Sequence, residues 1–345
     1  MMPFLPSFIK PVHHHDKPPV FSSGKANKNR KRGIETSVVI DLNIISKMKD
    51  VIQKKVSYSD SGLACVVKEF NKTSLCLSPG FSFSEVARES YKELYSSFEL
   101  FLKIYCPTYI DAPNSIALPL DKECERSFNV LPLNEQYVHS ISYLAMLLIQ
   151  LIIKKFKCLT PEEKFEKYVD YMVSNADVLS AIEAEVAKYC FCDPSRYDDI
   201  LFKGFCKKIR DNFAKGGGKE YIVKNALNSA SDIIYYRVVA IQSNEELDGV
   251  TQDTWLLTAD EGLKYIAQSI YFLPSFDGCD YKAVKLVRNK LQKESSYWNY
   301  CDNLFEYYNI RRNFFSFEKL SEQEADFKFK HIISCASVLE DALVV

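Results

Sequence analysis

Val38-Val39-Ile40-Asp41-Leu42-Asn43 is a short apolar run that ends on an aspartate, and it decides the fold. An apolar run of this length is typical of a buried strand. A second run of this kind, Trp255-Leu256-Leu257, is followed by Thr258-Ala259-Asp260. Because long amphipathic segments separate these runs, the sequence predicts an α/β fold with a central parallel sheet flanked by helices, and with an excess of helix.

Acidic side chains occupy four positions that suit a shared metal site. Two of them follow the predicted strands, one lies at the start of a helix after the turn Ser78-Pro79-Gly80, and one lies in a long helix rich in Ile, Tyr and Val. In parallel sheets, ligands bind at the carboxyl ends of the strands, and carboxylate oxygens suit Mg²⁺ or Mn²⁺. The four predicted metal ligands and catalytic residues are Asp41, Glu85, Asp232 and Asp260.

Cations held by carboxylates can activate a water molecule and stabilise charge on a phosphate. The sequence therefore favours a metal-dependent hydrolase of phosphodiester bonds, a nuclease. Asn43 and Thr258 lie next to the two strand-end aspartates in sequence. We expect them to support the metal ligands or to contact the substrate phosphate.

At these positions the sequence resembles the PIN-like nuclease family. That family places an aspartate after its first strand, a glutamate entering a helix after a short turn, and an acid on a later helix before a strand that ends in Thr-x-Asp. The similar segments are Val39-Ile40-Asp41-Leu42-Asn43, Ser78-Pro79-Gly80-Phe81-Ser82-Phe83-Ser84-Glu85-Val86, Ser231-Asp232-Ile233-Ile234 and Leu257-Thr258-Ala259-Asp260-Glu261-Gly262-Leu263. The resemblance covers residues 36–105 and 219–275. It implies an endonuclease that needs Mg²⁺ or Mn²⁺ and acts on nucleic acid, RNA rather than DNA.

The chain departs from a compact family member in one respect. Glu85 and Asp232 are 147 positions apart (232 − 85). The resemblance then implies a PIN-like nuclease domain over residues 36–275 with a helical insertion at about 107–215. Residues 276–345 are predicted to be a helical C-terminal region, and residues 1–35 a disordered tail rich in proline and basic residues.

Other functions stay open at this point. Asp41 and Asp260 could simply cap the helices that follow them, and Glu85 could interact with a helix dipole. The protein would then be a helical scaffold or regulatory protein on a degenerate nuclease fold. A third possibility is a phosphohydrolase with an aspartate nucleophile, but that chemistry typically needs an acid where this chain has Asn43.

The composition limits which binding partners and which cellular compartment we expect for this protein. The formal net charge is −1, so any contact with nucleic acid needs a local basic patch. Most of the 11 cysteines lie in apolar runs, which favours free thiols and a cytoplasmic protein, and we expect no secretory leader. The apolar run at residues 141–153 is too short to cross a membrane, so it predicts a buried helix. A protein partner or an oligomer is compatible with these patterns.

Overall fold

The computed structural model describes residues 4–13, 18–72, 75–86, 88–109, 127–243, 245–247, 249–272, 284–311 and 320–343. It is a mixed α/β protein, about 65% helical. The chain divides into two compact units, which we call unit 1 (residues 1–126 and 235–260) and unit 2 (residues 127–234 and 261–345). Residues 110–126, within the predicted insertion, and residues 276–283, 312–319 and 344–345, within the predicted C-terminal region, lie outside the described residues.

The described parts of the chain contain both strands and helices. The strands are β1 (Ser7–Ile9), β2 (Val12–His13), β3 (Glu35–Ile40), β4 (Cys76–Ser78), β5 (Glu246–Leu247), β6 (Val250–Thr258), β7 (Ile270–Phe272) and β8 (Val284–Leu286). The helices are α1 (Ser23–Lys31), α2 (Leu42–Ile52), α3 (Ala64–Phe70), α4 (Gly80–Ser84), α5 (Arg88–Tyr105), α6 (Leu133–Lys155), α7 (Pro161–Ser174), α8 (Ala181–Phe191), α9 (Ile200–Phe213), α10 (Lys219–Gln242), α11 (Glu261–Ser269), α12 (Lys290–Glu294), α13 (Ser296–Arg311) and α14 (Glu322–Ala342).

The sheet of unit 1 has the strand order β1-β6-β3-β4, and β5 also pairs with β6. The strands β4, β3 and β6 run parallel, whereas β1 and β5 pair antiparallel with β6. The prediction of a parallel sheet is therefore correct for the three adjacent strands β4, β3 and β6 and wrong for the sheet as a whole. The two antiparallel strands come from the N-terminal segment and from a short hairpin, neither of which has a long apolar run.

Both strands predicted from apolar runs are confirmed, and both are buried. In β3, Val38, Val39 and Ile40 are buried, as are Trp255 and Leu257 in β6. On one face of the sheet, side chains of α2, α3 and α5 form a single apolar core with Val38, Ile40, Trp255 and Leu257. Each fully buried aliphatic or aromatic side chain contributes about 1.5–3 kcal/mol, so this core fixes the register of the two strands.

The N-terminal segment differs from the disordered tail that the sequence predicted. Strand β1 pairs with β6, and α1 buries Ala26 and Asn29. The buried carboxylate of Asp253 in β6 forms an ion pair with Lys10 and accepts a hydrogen bond from Asn29 Nδ2 at 2.7 Å. A buried charge needs such partners, so Asp253 holds this segment in place. Residues 1–3 and 14–17 of the predicted tail lie outside the described residues.

Unit 2 is built around α6, the helix predicted from the apolar run at residues 141–153. Helix α6 is long and apolar enough to cross a membrane, but 67% of its most apolar window is buried inside the protein. Helices α7, α8 and α14 pack against it. The prediction of a buried helix is therefore confirmed, but its length was underestimated, since the helix extends over 23 residues and not only over the apolar run.

Candidate active site at the carboxyl ends of β3 and β6

The two strand-end motifs meet because β3 and β6 are parallel neighbours in register. Ile40 lies opposite Leu257, and the backbone N–H of Asp41 donates to the carbonyl of Leu257 at 2.9 Å. With β4 on one side of β3 and β6 on the other, the strand order reverses at β3. Ligands of open α/β sheets bind in the crevice outside the carboxyl ends at such a point.

Asp41 is the central side chain of this edge and is only 4% exposed. It caps α2, since its Oδ1 accepts a hydrogen bond from the backbone N–H of Asn43 at 3.3 Å. Its Oδ2 accepts from Asn43 Nδ2 at 2.6 Å and from the hydroxyl of Thr258. Both oxygens of the carboxylate are therefore held in a fixed orientation.

Asn43 and Thr258 also hold the turn that follows β6. Asn43 Oδ1 accepts from the backbone N–H of Ala259 at 3.1 Å, and Thr258 Oγ1 accepts from the backbone N–H of Asp260 at 2.9 Å. Asn43 Nδ2 further donates to Thr258 Oγ1 at 3.2 Å. These hydrogen bonds fix the backbone at the half-buried Asp260, which lies two residues after Thr258, the residue whose hydroxyl donates to Asp41.

The electrostatics of Asp41 are those of a desolvated carboxylate. Burial raises the pKa of Asp41 above its usual range, although the hydrogen bonds from Thr258 and Asn43 oppose this shift. The ionised form is thus costly in the protein alone, and a nearby cation would stabilise it.

Glu85 lies at the same edge, after the short helix α4 that follows β4. The hydroxyl of Ser82 in α4 donates to the carbonyl of Ile40, and the backbone N–H of Glu85 donates to the carbonyl of Ser82 at 3.1 Å. Glu85 is therefore one helical turn from a residue that touches the backbone beside Asp41. The sequence predicted that Glu85 begins a long helix, but that helix, α5, begins at Arg88 because Pro79-Gly80 starts a separate helix first.

Asp232 belongs to unit 2, since residues 219–234 of α10 are part of that unit. It is half-buried and accepts a hydrogen bond from Asn212 Nδ2 at 3.4 Å. Within the described ranges, no three His, Cys, Asp or Glu side chains are grouped as they would be around a metal ion. The structure thus joins Asp41, Asn43, Thr258 and the backbone of Asp260, and the four-carboxylate set stays a prediction.

Ser82 is a site residue that sequence reasoning did not assign. Nothing in its local sequence signals a bond to a strand 42 residues earlier. Its neighbour in the turn, Pro79-Gly80, is the one local signal that a tight connection follows β4.

The chain matches no family model, no curated protein and no solved structure.

Proposed function

We propose that unit 1 is a divalent-cation-dependent nuclease of the PIN-like kind, with Asp41 and Asp260 as the primary ligands of Mg²⁺ or Mn²⁺. One observation carries this proposal. Two motifs 217 residues apart in the chain are joined by a hydrogen bond between Thr258 and Asp41 at adjoining strand ends. Each motif contains an aspartate that the sequence predicts to be a metal ligand. Both motifs lie at the same edge of the sheet.

The residue types at this edge are those that a magnesium ion prefers. Mg²⁺ is usually bound through one or two protein carboxylates, and water and substrate phosphate fill its other positions. Asp41 and Asp260 would supply the two carboxylates, while Asn43 and Thr258 orient Asp41 and the turn that carries Asp260. The raised pKa of Asp41 supports this fit, because a desolvated carboxylate gains most from a cation.

When bound, such a cation supplies an activated water and stabilises the charge that develops on the scissile phosphate. The chain's own contribution is to fix the ligands before substrate arrives. Thr258 and Asn43 hold the Asp41 carboxylate in one orientation. Glu85 would complete the site from the side of β4, and Asp232 is the remaining acid that the resemblance assigns. We propose RNA as the substrate, with endonucleolytic cleavage.

One observation favours a second candidate, the scaffold on a degenerate nuclease fold. Asp41 caps α2 and both of its oxygens accept hydrogen bonds, which is also how a purely structural aspartate behaves. The phosphohydrolase has less support, because the amide of Asn43 donates to Asp41 itself and has no proton to give to a leaving group.

A cleavage assay separates these candidates. Labelled single-stranded RNA and DNA are incubated with the full chain in Mg²⁺, in Mn²⁺ or in EDTA. Asp41→Asn and Asp260→Asn keep the shape and remove the charge. The matched control is Asp199→Asn, since Asp199 caps α9 through the backbone N–H of Phe202 at 2.7 Å. Both strand-end variants should lose the cleavage that wild type and Asp199→Asn show only with a cation. A wild type that neither cleaves nor binds a divalent ion would establish the scaffold instead.

A further inference from the structure

Helix α1 concentrates positive charge in a protein whose net charge is −1. Five cations fall within residues 25–32, and all five are exposed. They are Lys25, Lys28, Arg30, Lys31 and Arg32. The helix itself contains no acidic residue. This surface, which we call the α1 basic face, is thus a strong local departure from the near-neutral whole.

The α1 basic face is held rigidly, because the opposite side of the helix is anchored in unit 1. Ala26 and Asn29 are buried, and Asn29 Nδ2 donates to Asp253 at 2.7 Å and to Thr36 at 3.1 Å. Residues three apart share a helix face. Lys28 and Lys31 therefore point away from this anchor together.

The two lysines near the centre of this face, Lys28 and Lys31, form no ion pair with any residue that the structure describes. The exposed residue Lys72 lies beside α1 through its backbone, since Asn27 Nδ2 donates to the carbonyl of Lys72 at 3.5 Å. Like charges on one helix face repel each other, and an anion bound there would reduce this repulsion.

The composition of α1 distinguishes between two anionic surfaces. A helix that binds membranes buries an apolar face among the lipids. The apolar residue of α1 is Ala26, which is buried inside unit 1. The exposed side offers only cations, small residues and the amide of Asn27. Cations with amide and backbone donors are the groups that contact phosphates of nucleic acids.

We infer that the α1 basic face binds the phosphodiester backbone of a single-stranded nucleic acid. The inference rests on the proposed nuclease function and adds a substrate-holding surface to it. Lys28 and Lys31 neutralise backbone phosphates without reading bases. Binding is therefore electrostatic, independent of sequence and strongly dependent on salt.

The test is the salt dependence of binding, measured on the full chain in EDTA so that no cleavage occurs. The probe is a fluorescent oligouridylate of about 16 nucleotides, the upper size of a typical single-strand site. Affinity is measured between about 50 and 200 mM salt. Lys28→Gln/Lys31→Gln is compared with Lys290→Gln/Lys293→Gln, a pair with the same spacing, exposed on α12 in unit 2. Both double variants change the net charge equally.

Each phosphate contact on a single strand contributes about 0.7 to the slope of log affinity against log salt. The Lys28/Lys31 variant should therefore flatten the slope by about 1.4, and the α12 variant should leave it unchanged. Equal slopes for both variants, or no binding by wild type, would overturn the inference. Binding to phosphatidylserine vesicles that the Lys28/Lys31 variant loses, with RNA binding intact, would assign the face to a membrane instead.

This experiment is separable from the cleavage assay. Asp41→Asn should bind the probe in EDTA like wild type, because its carboxylate is not part of the α1 basic face. If wild type fails to cleave but the Lys28/Lys31 variant flattens the slope, the proposed nuclease is wrong and the binding surface stands. If cleavage occurs and the slopes are equal, the nuclease stands and the binding surface is wrong.

Discussion

Replacing Thr258 with valine removes the hydroxyl that joins the two strand ends and keeps the side-chain shape. Thr258 is 1% exposed, and its oxygen donates to Asp41 and accepts from the backbone N–H of Asp260 at 2.9 Å. A hydrogen bond to a charged group is worth about 1.5–3 kcal/mol, and a neutral one about 1 kcal/mol. The change also removes the bond from Asn43 Nδ2 to Thr258 Oγ1 at 3.2 Å, but the same amide keeps its bond to Asp41 at 2.6 Å and is not left unpaired, so it adds no further cost. The free energy of unfolding should therefore fall by about 2.5–4 kcal/mol.

The control for this change is Thr258→Ser, which keeps the hydroxyl and loses one methyl group. Its cost should be about 1 kcal/mol. Unfolding in urea measures both costs, and titration with Mn²⁺ measures the second consequence. Loss of a residue that orients a metal ligand typically weakens metal binding about 10–100-fold, so the valine variant alone should bind Mn²⁺ that much more weakly. Equal stability and equal Mn²⁺ affinity of the two variants would refute the reasoning.

Two further predictions concern buried charge in unit 1. Lys10→Met leaves the carboxylate of Asp253 buried without its ion pair, so the free energy of unfolding in urea should fall by about 3–5 kcal/mol. The control is Lys290→Met, which removes an exposed ion pair at 3.9 Å and should cost under about 1 kcal/mol. Similar losses for the two variants would contradict this prediction. Because burial raises the pKa of Asp41, protonation of its carboxyl group stabilises the folded state. This contribution is complete below the pKa of an unfolded aspartate, about 3.9, and is lost as pH rises through the pKa of Asp41 in the folded protein. Asp41→Asn should remove this part of the pH dependence of Tm, and an unchanged profile would show that Asp41 does not titrate this way.

The central strands and the strand-end acids could be predicted because their signals are local. An apolar run followed by an aspartate is visible in six residues, as at Val38–Asn43. The start of α7 depends on equally local residues: Thr160 and Glu163 form a capping box, with Pro161 at the first helical position. Such signals depend on neighbouring residues in the chain, and the structure bears them out.

The features that sequence reasoning missed depend on distant residues. The N-terminal segment folds because Lys10 meets Asp253, 243 positions away. Proline and basic residues in that segment indicated a tail, since no local apolar run signals β1 or α1. The antiparallel edge of the sheet was missed for the same reason. For Asp232, the sequence predicted correctly that the residue lies in an apolar helix. It did not show that this part of the helix belongs to unit 2.

The cytoplasmic location and the absence of a membrane partner stay predictions. What the structure adds is that the apolar helix α6 is mostly buried within the protein. The proposed preference for RNA over DNA is likewise decided by the cleavage assay and not by the fold.

Mn²⁺ binding, followed by electron paramagnetic resonance, tests whether Asp41 and Asp260 together hold one divalent cation at the carboxyl ends of β3 and β6. We predict saturable binding of Mn²⁺ to wild type, competition by Mg²⁺, and loss of that binding in both Asp41→Asn and Asp260→Asn but not in Asp199→Asn. Unchanged Mn²⁺ affinity in either strand-end variant, with the variant folded, would contradict the account.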